Sequence, residues 1–509
     1  MKLSKILKIK DLLLIKDPEI SDITTDSRNV KKGSLFIAIK GFKTDGHEYI
    51  PHALKNGASA VLTEKKNFYE NEYPDTVFVK LKNIKKILSS AASNFYRHPE
   101  KRIFLSGITG TNGKTTNTYL LSNIINKSGK KTGIIGTINT KIDKKILPSS
   151  NTTPSIIDLY GYLYQMEKAG VKNVIMEVSS HGIDQGRIDG LNFKIAVFTN
   201  LTQDHLDYNK NIENYFKTKL GLFTRLKKGS VAVINTDDPY GVRITKRIKV
   251  PYCTYGIKKN ADFFAKDIKL GTKNSSFTVV VKEKKEFKIK FRLLGLFNVY
   301  NALSAFASAY LMGIKPDIIV KALNYSKPVA GRFQTVNAGQ EFVVVIDYAH
   351  TPDGLENVLS SAKQVAKGRL LTVFGCGGDR DMTKRPIMGE IAGKYCDFCI
   401  LTSDNPRTED PEEIINQVES GTKKTNAEYV KITDRKKAIY EIIKMAEKDD
   451  LIVIAGKGHE TYQIFKDRTI HFDDAEVASE AIRSRIKIKS TAKSKQRTAD
   501  FMLTNKVVK

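Results

Sequence analysis

The run Gly107-Ile-Thr-Gly-Thr-Asn-Gly-Lys-Thr-Thr116 has the residue types of a phosphate cradle. An apolar stretch at 102–106 precedes it and reads as a buried strand; residues 117–127 follow it and read as a helix. In such a turn the backbone N–H groups face one anion and the helix N-terminus adds partial positive charge. Gly110, Thr111, Asn112, Gly113 and Thr116 would line the cradle, Lys114 can reach terminal phosphates, and the Thr115 hydroxyl can ligate Mg²⁺. The spacing departs from the usual strand–loop–lysine pattern. Ile108 stands five residues before Gly113, where glycine is expected, and Gly107 comes one residue too early. An ordinary glycine turn is the alternative, and the context Thr-Gly-Thr-Asn-Gly-Lys-Thr-Thr argues against it.

Two further strand ends carry metal-binding types. Glu177 closes the apolar run at 173–178, and His205 follows the one at 195–199. A carboxylate and an imidazole at neighbouring strand tips, beside a phosphate loop, could hold a divalent cation; a solvated Glu and a structural His are the plainer readings. Lys219 lies on an expected helix at 212–227, where a solvated lysine is the ordinary expectation. Four loops near the C-terminal end are rich in chemistry: Asp347-Tyr-Ala-His350, Gly375-Cys-Gly-Gly-Asp-Arg380, Ser403-Asp404-Asn405-Pro406-Arg407 and Gly456-Lys-Gly-His-Glu460. On the residues alone, 404–407 reads as a charge-paired surface turn.

The elements that must position these groups alternate. From about 100 to 327, apolar runs at 103–108, 132–137, 173–178, 195–199 and 231–235 are separated by helical stretches. This rhythm predicts a parallel sheet covered on both faces, with ligands at the strands' C-terminal ends. Residues 328–488 repeat it with runs at 342–346, 370–374, 398–402 and 451–455. Residues 1–98 form a smaller unit with short strands at 34–39 and 60–63, ending near Pro99. The expected fold is therefore α/β in three domains: a small N-terminal α/β domain at 1–98, a central P-loop parallel-sheet domain at 99–327, and a Rossmann-like C-terminal domain at 328–488. The Lys/Ser/Thr-rich stretch 489–509 reads as a basic disordered tail.

A chain of 509 residues is too long for one core, and 41% hydrophobic content is that of a globular protein. No apolar run approaches the roughly 20 residues that span a bilayer. The first residues lack a signal-peptide pattern, and the four cysteines make no disulfide framework; Cys396 and Cys399 read as buried thiols. A cytoplasmic monomer is expected. The formal charge of +29 would suit nucleic acid or a membrane surface, but the lysines are dispersed along the whole length, so no dedicated nucleic-acid partner is expected.

These segments together resemble the Mur ligases over roughly residues 20–485, and within them the tripeptide-synthetase branch that adds meso-diaminopimelate. The resemblance is carried by the loop 109–115 with its extra residue, by Asn298 and Asn301 in Gly295-Leu-Phe-Asn-Val-Tyr-Asn301, by Gly331-Arg332-Phe333, and by Asp347-Tyr-Ala-His-Thr-Pro-Asp353. It implies an ATP- and Mg²⁺-dependent amide ligase of peptidoglycan synthesis working through an acyl phosphate. By the same resemblance Thr115, Glu177, His205 and Lys219 would serve the metal, with Lys219 carbamylated. Lys114, Asn298, Asn301, Arg332, Asp347 and His350 would serve ATP. Ser27, Arg28 and His47 would grip the uridine nucleotide, and Asn151, Thr152, Thr153, Ser179, Gln185 and Arg187 the sugar–dipeptide part of a UDP-N-acetylmuramoyl dipeptide. Arg380, Asp404, Asn405, Pro406, Arg407, Gly456 and Glu460 would bind meso-diaminopimelate. A folylpolyglutamate synthetase-like ligase and a non-catalytic basic ATP-binding module are the competing expectations.

Overall fold

A computed structural model of the chain describes residues 1–10, 14–41, 44–66, 69, 71–149, 151–202, 210–258, 261–282 and 284–488. His205 and the 489–509 tail lie outside the described residues.

Among the described residues three large sheets follow one another along the chain. The first has four parallel strands in the order β1 (Asp22–Thr24), β2 (Ser34–Ile37), β3 (Ala58–Thr63) and β4 (Val77–Lys80). The helix Lys85–Phe95, a left-handed His98 (φ 58°) and the short turn Pro99–Lys101 lead out of it.

The central sheet contains β5 (Phe104–Thr109), β6 (Thr132–Ile135), β7 (Asn139–Ile142), β8 (Lys145–Pro148), β9 (Asn173–Glu177), β10 (Phe193–Phe198), β11 (Val231–Asn235), β12 (Tyr252–Gly256), β13 (Phe263–Lys269), β14 (Ser275–Val281) and β15 (Glu286–Phe291). Its order is β15-β14-β13-β12-β11-β10-β5-β9-β6-β7-β8. From β13 to β6 neighbouring strands are parallel, as the βαβ rhythm requires. Both ends depart from that expectation. β7–β8 and β14–β15 add antiparallel pairs, because short connections can only turn the chain back on itself. β7 and β15 alternate more and less buried positions and β8 is largely exposed, so these three carry none of the continuous apolar signal of the buried parallel strands; β14 is buried almost throughout.

Alternation within each parallel strand feeds two cores. Leu105, Val174 and Met176 join a core shared with the N-terminal sheet, while Ile108 and Ile175 join the core under the helix Leu296–Leu311. The third sheet runs β16-β17-β21-β18-β19-β20, from β16 (Gln334–Val336), β17 (Val343–Asp347), β18 (Leu370–Phe374), β19 (Phe398–Leu401), β20 (Glu428–Lys431) and β21 (Leu451–Ala455). Only β16 is antiparallel. Insertion of β21 between β17 and β18 is the consequential feature. It sets the loops after β17, β21, β18 and β19 side by side at one end of the sheet. Among the described residues no helix is long and apolar enough to cross a membrane, and all four cysteines are free, with Cys376, Cys396 and Cys399 buried.

Candidate active site

The phosphate loop joins β5 to the helix Lys114–Lys127, which begins three residues earlier than its apolar pattern predicts because Gly113 starts it from the left-handed region (φ 84°). A Cβ at Gly113 would collide with Asn301 Oδ1, and one at Gly110 with Thr199 Oγ1, so both positions demand glycine. The loop is pinned from β10: Thr111 N–H donates to Asn200 O (2.9 Å), Asn112 N–H to Asn200 Oδ1 (2.9 Å), and Thr199 Oγ1 to Asn112 O (2.7 Å). Lys114 Nζ folds over the loop onto the carbonyls of Gly110 (3.0 Å) and Thr111 (2.7 Å). Thr116 is buried beside it. Asn298 and Asn301 are buried on the facing helix, where Asn301 Nδ2 donates to Asn298 Oδ1 (3.1 Å). Of the two asparagines quoted from a distant stretch of sequence, Asn301 therefore abuts the phosphate loop itself, and Asn298 holds Asn301 from behind.

Glu177 is wholly buried at the tip of β9. Its carboxylate accepts from Thr115 Oγ1 (2.9 Å), Thr137 Oγ1 (3.0 Å) and Thr137 N–H (2.9 Å). A buried carboxylate held by hydroxyls and an amide, with no ion pair to it among the described residues, is a hard-oxygen donor set that suits Mg²⁺. Among the described residues no three of His, Cys, Asp and Glu gather into a metal cluster, and His205 lies outside them. Lys219 is not the solvated helix lysine that the residues alone suggest. It is 1% exposed, its Nζ donates to Gly110 O (2.8 Å), and it stands 4.4 Å from the Tyr215 ring centroid.

The same network continues away from the loop. Thr137 Oγ1 shares a hydrogen bond with Thr152 Oγ1 (3.0 Å). Thr153 Oγ1 donates to Glu177 O (2.9 Å) and accepts from Ser179 N–H (3.0 Å). Arg187 Nη1 donates to Thr153 O (2.6 Å), and its other nitrogens grip Gln185 Oε1 (3.1 and 2.7 Å). Asn151 O accepts from Ser149 Oγ (3.0 Å) at the start of this segment. Ser27, Arg28 and His47 sit apart from it in the N-terminal unit, on the short turns Ser27–Asn29 and Gly46–Tyr49. Ser27 Oγ bonds His52 Nδ1 (3.0 Å), and the exposed Arg28 pairs with Asp26 (2.7 Å). His47 has both ring nitrogens engaged inside the domain, with Asp45 Oδ1 (2.6 Å) and Glu64 N–H (3.1 Å). Lys65, then His47, hold the Asp45 carboxyl far below its ordinary range.

The C-terminal sheet meets the phosphate loop through Asp353, whose Oδ2 accepts from Asn112 Nδ2 (3.2 Å) and Thr202 Oγ1 (2.9 Å). Behind it, Asp347 accepts from Phe333 N–H (2.6 Å) and Ala349 N–H (2.9 Å). Burial raises the Asp347 carboxyl to about 6 against the opposing pull of Arg332. The Arg332 guanidinium lies 5.1 Å from the Tyr348 ring centroid, and that ring is flanked by His350 (4.5 Å) and His459 (4.9 Å). Arg332 Nε and His459 Nδ1 are buried and find no hydrogen-bond partner among the described residues. His350 Nδ1 bonds Tyr348 O (2.7 Å).

Beyond Tyr348 the loops after β19 and β21 close a crevice. Asp404 and Asn405 are 5% and 4% exposed, so the surface-turn reading of 404–407 fails. Asn405 Nδ2 donates to Glu460 Oε2 (2.9 Å), while Asn405 Oδ1 accepts from Lys457 Nζ (3.1 Å) and Ile464 N–H (3.0 Å). Gly456 closely approaches Asp404: a Cβ there would lie 3.0 Å from Asp404 Oδ2. Arg407 is held in the left-handed region (φ 54°), which costs a non-glycine residue roughly 1–2 kcal/mol. Its N–H bonds Ile464 O (3.1 Å) and its Nη1 bonds Gly378 O (2.7 Å). Pro406 O packs against Gly378. Arg380 is exposed at the rim, bonded to Asp379 O (3.0 Å). Burial raises the Glu460 carboxyl above its ordinary range.

The sequence reading passed over Lys457 and the Arg435–Asp474 ion pair. That pair is wholly buried, at 2.7 Å, with Arg435 Nη2 also on Ala455 O (2.9 Å) at the end of β21. The flanking glycines of Gly456-Lys-Gly458 were the available signal for Lys457; Arg435, on a helix, gave none.

Three family models match in chain order: "Mur ligase family, catalytic domain" over residues 19–96, "Mur ligase middle domain" over 108–309, and "Mur ligase, glutamate ligase domain" over 331–458. The UDP-N-acetylmuramoyl-L-alanyl-D-glutamate--2,6-diaminopimelate ligase of Caldanaerobacter subterraneus subsp. tengcongensis is 49% identical over 464 residues, which are 91% of this chain and 95% of that protein. The enzyme of the same name from Clostridium tetani is 44% identical over 95% of this chain and 99% of its own length. A solved structure of a ligase with that name superposes with a TM-score of 0.68 at 32% identity, covering 95% of this chain and 99% of the other. With matched segments falling on each of the three sheets, and relatives aligned nearly end to end, the chain belongs to the Mur ligase family.

Proposed function

We propose that this chain is the ATP-dependent ligase that joins meso-diaminopimelate to UDP-N-acetylmuramoyl-L-alanyl-D-glutamate in peptidoglycan synthesis. One observation carries the reading: a crevice with a fixed guanidinium, Arg407, and a half-buried carboxylate, Glu460, belongs to the sheet that Asp353 docks onto the phosphate loop. Phosphoryl transfer and amine capture can then share one cleft. The 1–98 unit takes the uridine end, 99–327 takes ATP, and 328–488 takes the amino acid.

The D-glutamyl carboxylate attacks the γ-phosphorus of ATP, ADP leaves, and the amine of the incoming amino acid displaces phosphate from the acyl phosphate. Such a reaction needs positioning and charge stabilisation more than covalent help from the protein. Lys114 and the loop N–H groups from Gly110 to Thr116 hold the phosphates, and Asn298 and Asn301 fix the loop's far wall. Arg332, Asp347 and His350 close over the nucleotide from the C-terminal side. Thr115, Glu177, His205 and a carbamylated Lys219 would hold Mg²⁺, which supplies neutralisation of the phosphate oxygens. Carbamylation joins the neutral Lys219 amine to CO₂ with release of a proton. Burial beside Gly110 O supports it, since that pocket excludes the water that would solvate a free ammonium. Thr152, Thr153, Ser179, Gln185 and Arg187 extend from Glu177 as one hydrogen-bonded strip and would seat the acceptor. A reaction drawing on ATP and a UDP-linked precursor belongs in the cytoplasm.

ADP release measured with and without the UDP-N-acetylmuramoyl dipeptide, across a panel of amino acids, tests the reading. Release should require the dipeptide and meso-diaminopimelate together. Preference for L-lysine, or for a folate acceptor, would refute it.

A further inference from the structure

Lys457 stands between two glycines at the end of β21, and its side chain is wholly buried. A buried ammonium persists only where opposite charge and acceptors surround it. Its Nζ lies 3.1 Å from Asn405 Oδ1, 3.4 Å from Glu460 Oε2 and 3.5 Å from Asp404 Oδ1, and 5.6 Å from the Tyr462 ring centroid. Asp404 Oδ1 is buried and accepts no hydrogen bond among the described residues, so the Lys457 ammonium is the cation that faces it. The neighbouring Arg435 is already closed on Asp474. Four charges then lie inside the crevice, with the exposed Arg380 left at its rim: Asp404 and Glu460 on one side of the balance, Lys457 and Arg407 on the other. They sum to zero.

We propose that Lys457 is a specificity-determining residue, setting the charge of the crevice so that it accepts a zwitterionic terminus and rejects a lone ammonium. The proposal rests on the crevice being the diaminopimelate site. A terminus that carries both an ammonium and a carboxylate leaves the sum at zero and gives each charge a counterpart, Glu460 for the ammonium and Arg407 for the carboxylate. A lysine side chain brings an ammonium alone. It leaves Arg407 without an anion and adds a second cation beside Lys457. The same ammonium holds Asn405 Oδ1, which turns Asn405 Nδ2 toward Glu460 and fixes that carboxylate's direction.

The test uses the full-length enzyme, with kcat and KM measured by ADP release for meso-diaminopimelate, L-lysine and ATP. Lys457→Met leaves the crevice one unit negative. The ratio of kcat/KM for diaminopimelate over lysine should fall about twentyfold or more, as the loss of one close charge partner implies, with KM for ATP within about twofold. Asp404→Asn leaves it one unit positive and should move the ratio the other way. The double variant restores the zero sum, removes the carboxylate stranded by Lys457→Met, and should recover most of the wild-type ratio. A purely structural lysine predicts something else: both amino acids lose equally, the ratio stays flat, and the double variant is no better than the single. Either result overturns the proposal. A wild-type enzyme that turns over a different amino acid refutes the functional reading instead. The charge rule is then decided on the same variants with that amino acid and its decarboxylated analogue.

Discussion

The two halves of the cleft are built from opposite materials. Beside the phosphate loop, the groups gathered about the Glu177 carboxylate are hydroxyls and backbone: Thr115, Thr137, Thr152, Thr153 and Ser179. Around the amino-acid crevice they are charges: Lys457 facing Asp404 and Glu460, with the Arg407 guanidinium held on the Gly378 carbonyl beside them. The difference teaches what each half does. The central network receives its charge from what it binds, so it suits phosphates and a cation that come and go with each turnover. The C-terminal crevice carries balanced charge of its own. An incoming group must match that pattern or leave a buried ion without a partner, which costs roughly 2–5 kcal/mol. One half therefore governs rate and the other selectivity, and substitutions should separate the two.

The largest effect should come from Lys219, the buried amine of the central half. Lys219→Ala should lower kcat by about a thousandfold, the scale of losing one preorganised charge stabiliser. Acetate or formate, by occupying the vacated space, should partly restore turnover. Near-normal ADP release by this variant would remove the carbamate from the mechanism. It would also weaken the claim that the central half depends on imported charge.

Next comes Arg407. Arg407→Ala should raise KM for meso-diaminopimelate about a hundredfold, equivalent to about 3 kcal/mol, and leave KM for ATP nearly unchanged. The variant also relieves the left-handed strain less than glycine would, so Arg407→Gly should match it in selectivity while melting at a similar or higher temperature. A parallel rise in KM for ATP would erase the division between the halves.

Asp353 spans that division, and its effect should be smaller. Its bonds to Asn112 and Thr202 are partly exposed, so their loss is worth about 1 kcal/mol. Asp353→Ala should lower kcat/KM for ATP about fivefold without altering the choice between amino acids. Altered amino-acid selectivity would mean that the bridge also shapes the crevice.

How much of this the sequence disclosed follows the same division. The phosphate loop is a contiguous string whose glycines have one backbone use, and Gly113 and Gly110 are found where a side chain would collide with Asn301 and Thr199. The buried parallel strands β5, β6, β9, β10, β11, β17, β18, β19 and β21 announced themselves because burial on both faces makes each a short apolar run, whereas the more exposed parallel strands β12 and β20 did not. The antiparallel strands β7, β8 and β15 did not, since half-solvated edges dilute that signal; β14 was passed over although it is buried. The crevice was legible only in pieces. Asp404 and Arg407 on the residues alone resembled a solvated turn, because burial is decided by β21 inserting between β17 and β18, and no local pattern encodes strand order. Lys457 and the Arg435–Asp474 pair were missed for a related reason. A charged residue reads as surface until its counter-charge, tens of residues away, is known to be adjacent.

The smallest effect concerns pH, and it arises where the two halves meet, at the Tyr348 ring. Burial pulls His459 down to about 4 from an ordinary value of 6.5, and pushes Asp347 up to about 6 from 3.8. The signs oppose. A histidine held neutral in the fold contributes stability that is complete above pH 6.5 and is lost as pH falls toward 4. A carboxyl whose folded pKa is raised contributes stability that is complete below 3.8 and is lost as pH rises through 6. Between pH 6.5 and 4, acidification therefore costs stability at His459 and returns some at Asp347. Both also feel Arg332, which favours the ionised Asp347 and the neutral His459. His459→Gln removes the first contribution and leaves the second. Relative to wild type, its melting temperature should rise steadily as pH is lowered from 6.5 to 4.5, by a few degrees at most. That corresponds to about 1–2 kcal/mol after allowance for relaxation around the partly buried ring. Asp347→Asn should show the reverse trend against the same reference. Melting curves for the three proteins across that range check both signs, and parallel curves would mean that neither group changes its protonation affinity on folding.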